Sequence, residues 1–386
     1  MVTYKIFSSV NDLPSDWDRI SKSDIFLQST YLTVLERACP NTFCCFFVGV
    51  FKDEELVGIA LIQRVELYAK DMFRSNRVTA IKKFFRSTLS LFLKGHILVL
   101  GNLTHTGQHG YHFDSSKITP KEYFDAISNA LIELKQNLIT ERGKKVRLFL
   151  LKDFFENDPI NHFSNELKSL GFVMAKAQPN MILTLDESWK NPLDYVNAKT
   201  KKYKRRYKTA RKKLNVNRNE LNLSEIEHNS TTLYKLYKNV SDNASFNTFI
   251  LPQRHFCSMK EHLGERFKLF GYFFEGKLIG FYTLIQNNPV LETYFLGYDE
   301  EHQYSNQLYL NMLYDMAEYA VENNFKSVVY ARTAMEIKSS VGAKPIDMIM
   351  YLKHTNWFMN SVIRQVYSFM NPKRDWQERN PFGVDE

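Results

Sequence analysis

Apolar and polar positions repeat in the same order twice along this chain. The stretch from Gly49, GVFKDEELVG, and the stretch from Gly271, GYFFEGKLIG, each read as strand, charged turn, strand. Each runs on into an apolar segment ending in Gln, IALIQ and FYTLIQ. Two apolar runs joined by a short polar turn predict a β-hairpin. Its recurrence at the same internal spacing predicts two copies of one unit. After the second hairpin, VLETYFLGYD alternates as a strand. SNQLYLNMLYDMAEYAVENN then sets Leu308, Met312, Met316, Tyr319 and Ala320 on one face at helical spacing. FKSVVYAR is a short strand, and MEIKSSVGAKPIDMIMYLK supplies a short helix, a Gly stop and a last strand. After the first hairpin, HILVLGN is a strand, and PKEYFDAISNALIELKQNLITERG opens with Pro in its first turn and stops at Gly143, as a helix does. KVRLFLL, HFSNELKSLGF and VMAKAQPNMILTL then give strand, helix, strand. Both halves therefore predict hairpin, strand, helix, strand, helix, strand.

The copies differ at one place. From Gly58 to Gly101 the first spends 43 residues where the second spends 17, from Gly280 to Gly297. The surplus contains RSNRVTAIKKFFRSTLSLFLKG, in which a helix sets Val78, Ile81, Phe85, Thr88, Leu89 and Phe92 on one side and Lys82, Lys83, Arg86 and Lys94 toward the other. A basic amphipathic helix of this kind fits a membrane interface or covers its own sheet. Charge adds a second feature. AKTKKYKRRYKTARKKLN, from Ala198, holds ten Lys or Arg between Lys199 and Lys213 and no acid. The chain has 51 basic and 42 acidic residues and a net charge of +9, so without this run it sums to −1. Basicity confined to about four helical turns is either a docking surface for nucleic acid, a cofactor phosphate or an anionic membrane, or a solvated face.

Length and composition, 386 residues with 44% hydrophobic and 14% aromatic, suit two globular domains with large cores. The polar first residues lack the apolar core of a secretory leader. No apolar run is long enough to span a bilayer. Cys39, Cys44, Cys45 and Cys257 form no CxxC pair. The expectation is a cytoplasmic protein with reduced thiols, docking peripherally at the inner membrane surface.

The order of elements, LKSLGF with Gly171 closing the last helix before the final strand, and a Lys/Arg-rich stretch ahead of the second unit resemble the GNAT superfamily of N-acyltransferases in its tandem form. That form includes the Fem-type peptidoglycan aminoacyltransferases and the BioF-like acetyltransferases. The resemblance implies a mixed α/β fold (α+β): two tandem GNAT-like units, each a mixed, mostly antiparallel central sheet flanked by helices. The boundaries expected are a first unit over 1–185 with its basic insertion at about 68–95, a basic helical connector over 186–225, a second, catalytic unit over 226–372, and a polar tail over 373–386.

The resemblance places chemistry at the exit of the second unit's VLETYFLGYD strand. There a carboxylate takes the amine's proton and a Tyr protonates the departing thiolate. Glu292, between apolar neighbours, is the expected base. Tyr298 and Tyr304 are candidate acids, and Asp299 at the strand exit is a second carboxylate. By alternation Glu292, Tyr294 and Tyr298 share a face. The GNAT pyrophosphate turn is Gln/Arg-x-x-Gly-x-Gly/Ala, but EEHQYSNQLYLN has no Gly. Here Ser305 as a helix cap, Asn306, and Lys204, Arg205 and Arg206 of the basic run are the expected donor-binding residues. Glu336 and Lys338 loosely match a BioF-like pair that binds a substrate amine or phosphate. GNLTHTGQHGYHF carries His105, His109 and His112. Three histidines so spaced suit zinc, but no Cys or carboxylate accompanies them in that stretch. The reading is therefore no metal, and a loop whose His105 and His109 contact substrate, bending at Gly107 and Gly110.

The function expected is transfer of an acyl group from acyl-CoA or an acyl-carrier protein to an amine, on a lipid or cell-envelope precursor. The alternatives are a Fem-type transferase using aminoacyl-tRNA, and a non-catalytic protein binding RNA or membrane through the basic run.

Overall fold

In the computed structural model residues 1–21, 24–67, 95–143, 145–243, 249–370 and 375–383 are described. The insertion expected at about 68–95 lies, but for Gly95, outside them. The chain forms two compact units: Met1–Gln178 with Ala244–Pro252 and Asp347–Lys373, and Pro179–Asn243 with Gln253–Ile346 and Arg374–Glu386.

The strands are β1 (Val2–Phe7), β2 (Phe43–Lys52), β3 (Glu55–Leu67), β4 (Gly95–Leu100), β5 (Tyr111–Phe113), β6 (Val146–Phe155), β7 (Val173–Lys176), β8 (Asn180–Thr184), β9 (Asn217–Glu220), β10 (Phe267–Phe274), β11 (Lys277–Asn287), β12 (Val290–Tyr298), β13 (Ser327–Val329), β14 (Lys344–Ile346) and β15 (Met348–His354). The first sheet runs β1-β2-β3-β4-β6-β15-β7, with β5 on β3, and the second runs β14-β8-β13-β12-β11-β10-β9. Each is antiparallel except for one parallel pair, β4 with β6 and β12 with β13.

The two hairpins match residue for residue. Gly49 faces Ile59 and Gly271 faces Phe281; Val50 faces Gly58 and Tyr272 faces Gly280. Both then carry a register shift at the next pair, after Val50 and after Tyr272. The turns use the same left-handed pair, Asp53 and Glu54 in one and Glu275 and Gly276 in the other. That conformation follows the twist of a two-residue hairpin. Even the packing recurs: a Cβ at Gly49 would meet Leu56 and Phe51, and one at Gly271 would meet Leu278 and Phe273.

The closing strands depart from the expected boundaries. β8, expected to finish the first unit, lies between β13 and β14 of the second sheet, and β15 lies between β6 and β7 of the first. Each edge strand, β7 or β14, is followed within a few residues by a strand that joins the other sheet. The expected limits at 185 and 372 therefore fall at 178 and 347 for these segments. The connector expected over 186–225 is part of the second unit, as is the described part of the tail. Thr200 donates its N–H to the Pro381 carbonyl at 2.8 Å, and the Phe382 ring packs 5.2 Å from Trp189.

One long helix backs each sheet. Pro120–Arg142 has a full capping box between Thr119 and Glu122 and ends at Gly143 in the left-handed conformation. It buries Tyr123, Ile127, Ala130, Leu134 and Leu138 against the first sheet. Leu308–Glu322 buries Leu308, Met312, Met316 and Ala320 against Tyr272, Tyr282 and Leu284 of the second. Each large side chain so buried contributes about 2 kcal/mol of transfer free energy.

Candidate functional site

The second sheet opens where its parallel pair ends. β12 and β13 pair over Val290–Ser327, Leu291–Val328 and Glu292–Val329 and no further. The next residue, Tyr330, gives its N–H to Met181 on β8 at 2.8 Å, so the chain stays with β8 and leaves β12. On the other flank, Tyr294 and Phe295 together oppose the single residue Thr283, whose hydroxyl donates to the Phe295 carbonyl at 2.6 Å. A bulge of this kind bends the strand and shifts its alternation by one. Glu292, buried at 3% exposure, is the last residue before the strands part.

Beyond β12, Asp299 caps the short helix Glu300–Asn306, and the chain turns through Gln307 in the left-handed conformation into the Leu308–Glu322 helix. At the start of that longer helix Gln307 makes no side-chain cap bond, the Gln303 amide oxygen accepts the Tyr309 N–H at 3.0 Å, and the first turn holds no acid. Its positive dipole end therefore faces no carboxylate of its own turn. The basic helix, Lys201–Lys213, lies alongside. Between them is a cleft of about 630 Å³ lined by Lys202, Arg205, Arg206, Lys213, Gln303, Tyr304 and Gln307 among others, with four cations and no acid. A second row, Lys201, Lys204, Lys208 and Lys212, runs along the helix in the spacing of one stripe.

Two members of the cationic run turn inward. Arg211 pairs with Asp315 at 2.7 Å and Glu318 at 2.8 Å, and Tyr207 donates to Glu318 at 2.8 Å. Burial opposes the Arg211 charge, but Asp315 and Glu318 hold its pKa above the ordinary arginine value. Asn311 donates to the Ala210 carbonyl at 3.0 Å, so Asn311, Asp315 and Glu318 tether the basic helix to the long one. Lys199 is 2% exposed, its ammonium nitrogen 3.2 Å from the centre of the Tyr195 ring and 4.6 Å from that of Phe382. It has no hydrogen-bond partner among the described residues. Burial pushes its pKa down to about 6, with Glu318 pulling the other way.

The first unit holds a polar cluster in the loop after β4. Asn102 donates to the Tyr31 hydroxyl at 3.0 Å and accepts from Thr104, and Gln63 accepts the Leu103 N–H at 2.7 Å. Gly110 lies so close to Gly101 that a Cβ would come within 2.4 Å of its Cα. Lys152 donates to the His105 carbonyl at 2.7 Å and pairs with Asp153, which accepts the Gly107 N–H at 3.3 Å. Asp153 is fully buried and left-handed, a costly conformation that its surroundings hold in place. The loop presents His105 and His109 over the Phe26 ring, centroids 4.3 and 4.4 Å away. His109 Nδ1 lies 2.9 Å from Asp24 Oδ2.

No family model matches the sequence, and no curated protein matches it. Solved structures do. The chain is similar to FemX over 94% of this chain and 100% of that one, at a TM-score of 0.58 and 13% identity. It is similar to a tandem GNAT protein from the clavulanic acid biosynthesis pathway over 92% and 99%, at 0.51 and 12%. This chain has a tandem GNAT-like fold.

Within the tandem GNAT-like fold, some expected site residues stand where the sequence put them and others do not. Glu292 is at the strand opening, and Tyr304, Arg205 and Arg206 line the cleft, with Lys204 on the adjoining stripe. Glu292 and Tyr298 do not share a face. The bulge reverses alternation between them, so Tyr298 packs with Leu291 and Leu296 in the core cluster and stands 6.3 Å, ring to ring, from Tyr309. Tyr294 meets His255 at 3.0 Å. Asp299 is occupied as a cap, accepting the Glu301 N–H at 3.0 Å. Ser305 does not cap the long helix, which begins after it at Gln307; its hydroxyl donates back to the His302 carbonyl. Asn306 turns inward and accepts the Asn215 N–H at 3.0 Å. Glu336 pairs with Arg379 from the tail. Lys338 is buried, donating to the carbonyls of Tyr330, Ala331 and Arg332 at 2.5, 3.2 and 2.6 Å, and burial lowers its pKa to about 7. It staples a loop in which Ala331, Thr333 and Ala334 are all left-handed.

Sequence reasoning missed Asp24, Lys152, Asp153, Lys199, Arg211 and the acids that hold Arg211. One signal was present: Asn311, Asp315 and Glu318 form a polar stripe at helical spacing on an otherwise apolar helix.

Proposed function

We propose that the chain is an N-acyltransferase whose second unit binds a thioester donor, acyl-CoA or an acyl-carrier protein, and transfers its acyl group to an amine. One observation carries the reading: a parallel strand pair that parts at Glu292, in the same unit as an acid-free cationic cleft at the start of the Leu308–Glu322 helix. The splayed strands suit a thioester carbonyl, and the cleft suits the donor's phosphates. In the reaction the ammonium gives its proton to Glu292 and the freed amine attacks the carbonyl. The C–N bond forms, the C–S bond breaks, and the thiolate takes a proton from Tyr304, whose phenolate is restored by the second proton that the nitrogen loses.

The acceptor class is an amine of a lipid or envelope precursor, reached at the inner face of the membrane by a cytoplasmic protein. The aromatic-rich composition and the local basicity support that choice. Among the described residues no helix is long and apolar enough to cross a membrane. A second reading, an aminoacyl-tRNA donor, is favoured by the eight Lys and Arg of the run that do not turn inward, more than a single pyrophosphate uses. Its support also includes the fold similarity to FemX. The test is incubation of the purified protein with an acyl-CoA series, an acylated carrier protein and a panel of amines, then with charged tRNA, read by mass spectrometry. Amide product from either thioester supports the first reading, product only from charged tRNA supports the second, and no product from any of them sinks both.

A further inference from the structure

The first unit leaves large apolar side chains in water at one corner. Trp357 and Phe358 open the helix Trp357–Met370 at 81% and 58% exposure, while the same helix buries Met359 and Ile363. Leu170, between the helix Ser164–Ser169 and β7, is exposed too, as are Ile132 and Ile139 on Pro120–Arg142. These five are half of the large apolar side chains exposed among the described residues. Single exposed apolar residues need no account, but a cluster marks an interaction site. We propose that this corner is a docking surface for an anionic lipid bilayer, with Trp357 and Phe358 entering its interface. The surface lies within the first unit and stands whether or not the second unit transfers an acyl group.

The five residues belong to one surface. Asn360, three residues past Trp357, donates to the Gly171 carbonyl at 2.8 Å, which sets Leu170 beside the first turn of the helix. A Cβ at Gly171 would stand 3.6 Å from Lys353, whose ammonium is 5.6 Å from the centre of the Phe172 ring. Phe172 and Leu167 share a core cluster with Leu134 and Leu138 of the long helix. Lys135 of that helix falls three residues after Ile132 and four before Ile139, so the three share a face. The platform is also fixed. Asn356 caps the Trp357 helix by accepting the Met359 N–H at 3.1 Å, and Asn360 accepts the His354 N–H at 2.7 Å.

Charge and shape say what covers this corner. Lys135, Lys168 and Lys353 stand in it, with Arg147, whose carbonyl accepts the Thr355 N–H at 2.9 Å, at its edge. None of the four pairs with an acid among the described residues. Burial lowers the Lys353 pKa and the Lys135 charge lowers it further, a repulsion that an anionic surface relieves. The described acids of the two neighbouring helices are engaged elsewhere. Glu122 sits in the capping box, Asp125 pairs with Lys121, Glu133 accepts the Tyr4 hydroxyl at 2.8 Å, and Glu166 lies within electrostatic reach of Lys121. As to shape, Trp357 projects into solvent, its ring 6.0 Å from that of Phe358. A protein partner would need a pocket matched to that projection. A bilayer takes it without one, since tryptophan settles at the headgroup level while lysine stems lie along the apolar layer and keep their charges in water.

The experiment uses the full chain and vesicles of equal parts phosphatidylglycerol and phosphatidylcholine, the latter brominated on its acyl chains. Bromine there quenches a tryptophan that enters the bilayer. Of the four tryptophans Trp357 is the exposed one; Trp17 is buried, and Trp189 and Trp376 are partly buried. Wild-type fluorescence should fall on binding. Trp357→Phe should keep most of the binding, read by co-sedimentation, and lose the quenching. Trp357→Ala with Phe358→Ala should lower affinity by roughly tenfold or more. Lys135→Gln with Lys168→Gln should lower it by about thirtyfold. All four side chains lie at the surface, and melting temperature checks that each variant folds. Wild-type fluorescence unchanged by the brominated vesicles overturns the proposal. So does quenching that Trp357→Phe retains, which would mean that another face meets the bilayer. A dimer in sedimentation that Trp357→Ala with Phe358→Ala dissolves, without quenching by vesicles, overturns it in favour of a second copy of the chain.

Discussion

Lys199 and Arg211 come from the same cationic run and burial opposes both charges, yet their pKa values move in opposite directions. Arg211 finds two carboxylates; Lys199 finds aromatic faces and Glu318 only at a distance. A lysine whose folded pKa is about 6 makes stability depend on pH. Between that value and the unfolded pKa near 10.4, the unfolded chain binds a proton that the folded one lacks. Stability therefore rises with pH across the window, by at most about 1.4 kcal/mol per pH unit for this group. Lys199→Met removes the slope. Urea unfolding of wild type and variant at about pH 6.5 and about pH 8.5 should show the wild type gaining about 2 kcal/mol on the variant between the two. Equal gains would place the lysine's proton elsewhere. Glu292 offers the corresponding test of chemistry. Glu292→Gln preserves shape and removes a base, so turnover with the productive donor and amine should fall by about two or more orders of magnitude at nearly unchanged melting temperature. Turnover at the wild-type rate would take Glu292 out of the mechanism.

At the scale of elements, legibility followed locality. The hairpins were readable because strand, turn and strand are contiguous, and their shared shift after Val50 and Tyr272 is set by the same local sequence. The long helices were readable from their spacing and caps. The exchanged strands β8 and β15 were not, since an apolar run says that a strand is buried but not which sheet buries it. The bulge at Tyr294–Phe295 was hidden as well, and with it the facing of Glu292 and Tyr298, because alternation presumes an unbroken ladder. Glu292 and the cationic cleft were legible as residues, but Ser305 and Asn306 were not, because the helix break at Gln307 leaves no glycine to mark it. Gly297 tests this layer. A Cβ there would sit 2.4 Å from the backbone of Leu236, in the helix Ser230–Asn243. Backbone cannot rotate aside, so Gly297→Ala should cost about 2–3 kcal/mol as the helix is pushed from β12. A calorimetric melting temperature within a degree or so of wild type would mean the helix moves freely on the sheet.

For the whole molecule the deciding quantity is where its charge sits. The net +9 is carried by one run, and that run is exposed along a stripe and a cleft while Arg211 and Tyr207 anchor its other face. A tethered helix holds its cations at fixed spacing, so an anion meets a preformed array. Lys204→Gln, Arg205→Gln, Arg206→Gln and Lys208→Gln together leave the tether intact, and the three candidate anions then give different signatures. For RNA, each neutralised phosphate releases counterions, so losing four contacts should flatten the slope of log affinity against log salt by roughly 3. For an anionic bilayer, about 1 kcal/mol per basic residue near the surface predicts a loss of about three orders of magnitude in partitioning. For CoA, only Arg205 and Arg206 of the four line the cleft, so its weaker affinity should fall with a shallower change in salt slope than RNA shows. Binding of tRNA, anionic liposomes and CoA, each measured over a salt series, separates these outcomes. Unchanged affinity for all three would make the run a solvated face.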